Sequence, residues 1–238
     1  MPKIIDWLTS SKYFSLPRRY LFKLIKNTVS LKKYILIYYG YPEKARVIEL
    51  VKNIGKERKM IVNEIEGYQI FDLVKKASKI EGDTAEVGVF EGATAKIICE
   101  AKNHKPLHLF DTFEGLPQIT ENDDPAQFYK GQYKADMENV KEYLKNYPEV
   151  YFYKGLFNST SDLVKYKKFA FVNLDVDLYE STMDCLDFFY PRMSRGGIII
   201  SHDYIGSQGV KKAFDEFFKN KPEPVLELLG VQCLIIKT

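Results

Sequence analysis

Residues 84–95 read Thr-Ala-Glu-Val-Gly-Val-Phe-Glu-Gly-Ala-Thr-Ala. The alternating small and branched apolar residues predict a short buried strand that ends at Val89. Gly88 and Gly92 carry no Cβ, so they allow a tight turn into a helix that begins at Gly92. A turn at the carboxyl end of a first strand is where open α/β sheets bind their ligand. The stretch therefore predicts an α/β fold with a ligand-binding turn.

The spacing of the two glycines bears on which ligand this turn binds. Gly88-x-x-x-Gly92 differs from the Gly-x-Gly-x-x-Gly spacing of dinucleotide-binding turns. Glu86 would repel a pyrophosphate but would suit a ligand with an ammonium or sulfonium charge. Asp111 lies after the next predicted strand, near where an acidic side chain holds a ribose diol, and an NAD enzyme would use the same device. The missing third glycine and Glu86 favour S-adenosylmethionine over NAD.

Apolar runs and helical segments alternate through the rest of the chain. The predicted strands cover residues 84–89, 107–110, 150–153, 169–174 and 198–201. The predicted helices cover residues 70–79, 92–102, 137–147, 181–190 and a segment within 210–218. Residues 225–229 and 232–236 read as an antiparallel hairpin joined at Gly230. Together they predict a mostly parallel, doubly wound Rossmann-like sheet with a C-terminal antiparallel hairpin.

The positive charge of the chain is concentrated at its N-terminus. Residues 1–60 hold 14 lysines and arginines against 4 acidic residues, a net charge of +10, which leaves −7 for residues 61–238. We therefore predict a basic helical appendage over residues 1–60 and the catalytic domain over residues 61–238. Packing on the core or in a homo-oligomer is the favoured role of the appendage. A helix that binds a membrane surface or an acidic partner is the alternative.

Composition excludes several other classes of protein. Cys99, Cys185 and Cys233 are odd in number and have no metal-binding spacing, which indicates a reducing compartment. No secretory signal is evident, and no early apolar run is long enough to span a bilayer, so we expect a cytoplasmic protein. The acidic body shows no aromatic and basic platform for nucleic acid.

Acidic residues lie in or after four of the predicted strands. They are Glu86 in the first, Asp111 after the second, Asp175 and Asp177 after the fourth, and Asp203 after the fifth. Parallel strands open their carboxyl ends on one edge of the sheet, so these side chains should converge. Helix capping is the simpler explanation for any one of them. Four at the same edge favour a binding or catalytic site.

Four sequence blocks carry a family resemblance. Residues 86–92, 110–117, 174–182 and 202–204 resemble the macrocin O-methyltransferase (TylF-like) family, and the similarity runs from about residue 66 to the C-terminus. The resemblance implies a class I methyltransferase fold, S-adenosylmethionine as the cofactor, and methylation of a small-molecule hydroxyl, often on a sugar of a natural product. The predicted cofactor contacts are Glu86, Gly88, Phe90, Glu91, Gly92, Thr94, Asp111, Thr112, Phe113 and Asp175.

The resemblance also implies a divalent cation, Mg²⁺ or Mn²⁺, at Asp175, His202 and Asp203. The family has Asp where this chain has His202. A histidine makes the ligand set softer than the oxygen-only shell that Mg²⁺ prefers, so the metal differs, is weakly held or is absent. His202 as an outer residue or as a base is an equal alternative to His202 as a ligand.

The expected reaction needs an activated hydroxyl. Asp175, Asp177 and His202 are the predicted catalytic residues, because a bound cation or a base such as His202 or Asp177 would help an alcohol attack a methyl group. The loop over residues 115–135, with Phe128, Tyr129 and Tyr133, is predicted to close over the acceptor. An NAD-dependent oxidoreductase and a non-catalytic binding protein with the same fold remain as alternatives.

Overall fold

The computed structural model describes residues 41–238, and the predictions for residues 1–40 lie outside the described residues. A compact unit runs from Leu50 to Thr238. The domain boundary at residue 60 and the role of the basic appendage stay predictions. In chain order the helices and strands are α1 (Pro42–Glu57), α2 (Glu64–Ala77), β1 (Asp83–Val87), α3 (Ala93–Ala101), β2 (Leu107–Asp111), α4 (Met137–Leu144), β3 (Val150–Lys154), α5 (Phe157–Thr160), β4 (Phe169–Leu174), α6 (Tyr179–Phe189), β5 (Met193–Ser201), α7 (Gln208–Phe218), β6 (Leu226–Glu227) and β7 (Cys233–Ile236).

The seven strands form one sheet in the order β3-β2-β1-β4-β5-β7-β6. Strands β1 to β5 are parallel, and β7 pairs antiparallel with both β5 and β6. The predicted α/β class, the mostly parallel sheet and the terminal hairpin are confirmed. Because β1 and β4 are neighbours at the centre of the sheet, the segments that follow them open onto the same edge.

Several element boundaries differ from the sequence prediction, among them the end of β1, which lies at Val87 and not at Val89. Two of the differences have identifiable reasons. Helix α2 begins at Glu64 rather than Ile70, because Asn63 and Glu66 form a reciprocal capping box that starts the helix earlier. Strand β5 begins at Met193 rather than Ile198, because Met193 already pairs with Phe169 before a break in register. The apolar run that signalled β5 marks only its buried half.

The core of the sheet is apolar on both faces. All six residues of β4 are buried, as expected for a central parallel strand. Phe169 packs edge-on against Phe189 of α6 with ring centroids 4.9 Å apart, and Phe110 of β2 stacks on Tyr153 at 4.5 Å. Each buried phenylalanine side chain contributes about 2–3 kcal/mol from removal of its apolar surface from water. This packing fixes the strand ends that carry the polar residues.

The loop over residues 115–135 is folded upon itself. Leu116 donates its N–H to the Gln132 carbonyl and accepts a hydrogen bond from the Gly131 N–H at 2.9 Å. Buried Asp123 accepts the Tyr179 N–H at 2.8 Å, which ties the loop to the start of α6. Of the three aromatic residues predicted to close over the acceptor, Tyr133 lines the cleft described below, whereas Phe128 is buried and Tyr129 is exposed. The lid function stays a prediction.

Within residues 41–238, no helix combines the length and the apolar character that a membrane span needs. Cys99, Cys185 and Cys233 are buried, and none forms a disulfide. The cytoplasmic location, the homo-oligomer and the absence of nucleic-acid binding stay predictions.

Candidate active site

The carboxyl ends of β1, β2, β4 and β5 open onto one cleft. The space in the cleft amounts to about 990 Å³, a figure that includes its opening to solvent. Ten residues predicted from the sequence line it: Gly88, Phe90, Glu91, Thr94, Asp111, Thr112, Asp175, Asp177, His202 and Asp203. The structure thus brings the acidic strand ends together, as their positions predicted.

Glu86, Gly92 and Phe113 do not line the cleft. Glu86 is fully buried and lies opposite Asn173 on β4. The side-chain amide of Asn173 donates a hydrogen bond to the Glu86 carboxyl group at 2.8 Å. Burial raises the pKa of Glu86 to about 8, although contacts with Thr94 and Asn173 lower it. Glu86 is therefore mostly neutral at pH 7. The prediction that it presents a charge to the ligand is not supported by this position.

Gly88 follows β1 and lies between the ends of the neighbouring strands β2 and β4. Its N–H donates to the Phe110 carbonyl of β2, and Asp175 after β4 donates to the Val87 carbonyl, both at 2.9 Å. The Gly88 φ is +86°, and a Cβ at this position would lie 1.8 Å from the Asp175 carbonyl oxygen. Only glycine fits there without moving one strand away from the other.

Asp111, the last residue of β2, stabilises the glycine turn by accepting hydrogen bonds from its backbone. One carboxylate oxygen accepts the N–H groups of Val89 and Phe90 at 2.7 and 2.8 Å, and the other accepts that of Phe113 at 2.6 Å. Burial raises the pKa of Asp111, and the three backbone donors lower it. The carboxylate lies at the cleft wall and fixes the shape of the glycine turn at the same time.

Helix α3 begins directly after the turn. Its N-cap is Gly92, with φ +81°, and no side chain within the described residues caps it. Ala93 and Thr94 of its first turn line the cleft. The N–H groups at such a helix start are free to bind an anionic group.

An imidazole lies among carboxylates at the ends of β4 and β5. The His202 Nδ1 lies 2.9 Å from an Asp203 oxygen and 3.4 Å from an Asp175 oxygen, and all three potential ligand atoms lie within 4.8 Å of one another. Burial lowers the pKa of His202, but Asp175, Asp203 and Glu66 together raise it to about 11. In this structure a protonated imidazole therefore balances the carboxylate charge.

Asp177 adds a further carboxyl group to the cleft. Burial, then the charges of Asp175 and Asp203, raise its pKa well above the ordinary value. Its backbone has φ +62°, and its carbonyl accepts the Ser207 hydroxyl at 2.9 Å. Phe90, Tyr133 and Asp203 at the cleft also have φ between +49° and +63°. Strained non-glycine backbone of this kind clusters at functional sites.

Residues 54–228 match the family described as Macrocin-O-methyltransferase (TylF). This chain belongs to the TylF macrocin-O-methyltransferase family. The resemblance found in the four sequence blocks is confirmed, and with it the activity, which is S-adenosylmethionine-dependent O-methylation. The family match therefore gives no support to the alternative of an NAD-dependent oxidoreductase.

Two O-methyltransferases of similar sequence and one solved structure show the extent of the likeness. The demethyldecarbamoylnovobiocin O-methyltransferase of Streptomyces niveus is 26% identical over 195 residues, which cover 71% of this chain and 72% of that protein. The mycinamicin III 3''-O-methyltransferase of Micromonospora griseorubida is 31% identical over 142 residues, 52% of this chain and 56% of that protein. The structure of the O-methyltransferase NovP has a TM-score of 0.65 at 23% identity, over 75% of this chain and 82% of that chain, which supports the fold.

The four sequence blocks leave out several residues that line the cleft. These are residues 59–62 before α2 and residues 155–157 after β3. The Lys59 N–H donates to the Glu91 carboxylate at 3.0 Å, so this linker is held against the glycine turn. No periodic pattern in the sequence marks these positions. Glu66, behind His202, had a signal in the Asn63-x-x-Glu66 capping box, which sequence reasoning missed.

Proposed function

We propose that this TylF family enzyme methylates a hydroxyl group on the sugar of a small molecule. The observation that carries the proposal is the meeting of the Gly88 turn with the carboxyl groups of Asp175, Asp177 and Asp203 in one cleft. The names of the relatives support the acceptor class, since one acts at the 3'' position of mycinamicin III and another on a rhamnosyl tetracenomycin. A sugar hydroxyl is a weak nucleophile and needs a group that removes its proton.

The cleft fits S-adenosylmethionine. When bound, this cofactor supplies a sulfonium methyl group for in-line displacement by an oxygen. The Gly88 turn would allow close approach of the backbone, and the Asp111 carboxylate at the cleft wall would accept a ribose hydroxyl. The free N–H groups of α3 would bind the carboxylate of the amino-acid portion.

Replacing Asp111 with alanine is expected to weaken S-adenosylhomocysteine binding by about 1–3 kcal/mol, because the ribose loses a hydrogen-bond acceptor and the glycine turn loses the carboxylate that accepts its backbone N–H groups. Isothermal titration calorimetry measures the affinity. Glu114→Ala, at an exposed position nearby that pairs with Lys154 at 3.6 Å, is the control and should bind normally. Unchanged affinity in Asp111→Ala would remove Asp111 from the cofactor site.

The described residues also fit a divalent cation. Three donor atoms of Asp175, His202 and Asp203 converge, and the second ring nitrogen of His202 faces the Glu66 carboxylate at 3.6 Å. A ligating histidine usually has such a carboxylate behind it. When bound, a cation lowers the pKa of a coordinated hydroxyl. It would take the place of the Nδ1 proton, and the imidazole favours Mn²⁺ or another softer ion over Mg²⁺.

Asp177 is the proposed base. His202 is already protonated in this structure, and as a cation ligand its Nδ1 would be engaged, so it is poorly suited to accept a proton. Asp177 lines the cleft next to the proposed ligands, and a cation bound there would offset the charges of Asp175 and Asp203 and so favour the ionised form of Asp177. Because burial raises its pKa, that ionised form is a stronger base than an exposed aspartate. Asp177 would hold the acceptor hydroxyl and receive its proton.

Methyl transfer from labelled S-adenosylmethionine to a panel of glycosides and nucleotide sugars tests this function. We expect methyl ethers on a sugar hydroxyl, activity that falls at least about tenfold in EDTA, and recovery with Mn²⁺ at least as good as with Mg²⁺. Full activity in EDTA would contradict the cation proposal alone. Cofactor binding without transfer to any member of the panel would contradict the acceptor class.

A further inference from the structure

We propose that Glu66 is a positioning residue that orients the His202 imidazole toward Asp175 and Asp203. The inference rests on the proposed function in one respect, which is that the Nδ1 of His202 is the atom presented to a cation. Glu66 belongs to α2, outside the four sequence blocks that carry the family resemblance, and it does not line the cleft.

The two ring nitrogens of His202 face opposite groups of acids. Nδ1 faces Asp203 at 2.9 Å and Asp175 at 3.4 Å, and Nε2 faces Glu66 at 3.6 Å. Nε2 is buried and has no hydrogen-bond partner among the described residues, so the Glu66 carboxylate is its electrostatic partner at ion-pair distance. A buried N–H group is costly without an acceptor, so this contact favours a proton on Nε2. Nδ1 is then the atom left for the cleft.

Glu66 is itself fixed by the backbone on two sides. One carboxylate oxygen accepts the Val231 N–H at 3.0 Å, and the other accepts the Asn63 N–H at 2.9 Å. A Cβ on Gly230 would lie 2.2 Å from the first of these oxygens, so the chain packs closely around the carboxylate. Glu66 is 3% exposed. These contacts hold its carboxylate still, and a fixed carboxylate can determine the orientation of the imidazole beside it.

Three variants separate this role from the helix cap. Glu66→Ala removes the carboxylate, and Glu66→Gln keeps the side-chain length and one acceptor but removes the charge. Asn63→Ala is the control, because Asn63 caps α2 through the N–H groups of Ile65 and Glu66 and forms no hydrogen bond with His202. The thermal midpoint of each variant shows how far the fold itself is disturbed.

Two readouts test the proposal. Mn²⁺ affinity, measured by electron paramagnetic resonance, is expected to fall about 10–100-fold in Glu66→Ala, to fall less in Glu66→Gln, and to stay within about twofold in Asn63→Ala. The ring nitrogens of His202 can be followed by NMR in the cation-free enzyme, since the chain has only 3 histidines. Nε2 is buried against Glu66, so the wild type is expected to show a slowly exchanging Nε2–H signal that is lost in Glu66→Ala and kept in Asn63→Ala.

The two readouts distinguish failure of this inference from failure of the cation proposal. Wild-type enzyme that binds no Mn²⁺ would contradict the cation proposal, while loss of the Nε2–H signal in Glu66→Ala would still support the positioning role. An Nε2–H signal that is the same in Glu66→Ala and wild type would overturn the role of Glu66. So would equal losses of Mn²⁺ affinity in Glu66→Ala and Asn63→Ala, because both would then act through α2.

Discussion

Asp177→Asn is expected to lower the turnover number of methyl transfer by about 10²–10⁴-fold, which is the usual contribution of a positioned base. Asparagine has nearly the same shape, but its amide cannot take the acceptor proton. The Asp177 carboxyl group lies at the cleft wall, where burial and then the charges of Asp175 and Asp203 raise its pKa. Steady-state kinetics at saturating cofactor and cation measure the loss, so that a change in cation affinity does not enter the result.

The affinity for S-adenosylhomocysteine should change little in Asp177→Asn, because no proposed cofactor contact is removed. Asp187→Asn serves as the control, since Asp187 is exposed on α6 away from the cleft and should retain full turnover. Turnover within about threefold of wild type in Asp177→Asn would show that another group takes the proton, because a base contributes far more than that.

Gly88→Ala is expected to destabilise the fold by about 2–5 kcal/mol, from backbone strain and forced separation of two strand ends. The added Cβ would lie 1.8 Å from the Asp175 carbonyl oxygen, and both positions belong to the cleft. S-adenosylhomocysteine binding should therefore be lost along with stability. Urea unfolding gives the free energy, and calorimetry gives the affinity.

Gly131→Ala is a matched control for the effect of backbone strain. Gly131 also has φ +86°, but a Cβ there would meet nothing within 4 Å. We expect this variant to lose only about 1–2 kcal/mol, the cost of a left-handed residue. Similar losses in the two variants would mean that strain alone, rather than contact with Asp175, limits residue 88 to glycine.

The sheet was predictable from the sequence because its strands are apolar and regularly spaced. Residues 169–174 form a nearly unbroken apolar run, and the structure buries all six. Asn173 interrupts that run, and a buried amide needs a partner. Its partner is Glu86 on the neighbouring strand, and their pairing keeps Glu86 out of the cleft. Sequence reasoning considered each strand alone and therefore assigned Glu86 to the ligand.

The acidic strand ends were predictable because parallel strands share an edge, whereas the groups around them were not. Residues 59–62 line the cleft next to α2, which packs against β4 and β5, and no local sequence pattern shows that packing. Glu66 reads as an ordinary helix-capping residue, and its contact with His202 depends on segments far apart in the chain. Tertiary contacts of this kind leave no trace in hydrophobic periodicity.

The placement of β7 between β5 and β6 has a consequence for how the enzyme folds. Strand β5 cannot complete its ladder until Cys233 pairs with Ser201, and the Val231 N–H reaches Glu66 across 165 positions of the chain. The contact between Val231 and Glu66 closes a long loop, and the entropy cost of that closure makes this contact a late event. His202 lies directly after Ser201, which pairs with β7. The group formed by Asp175, His202 and Asp203 is therefore expected to reach its final geometry only when β7 packs against β5. A nascent chain that has formed the glycine turn would then still lack the rest of its catalytic centre.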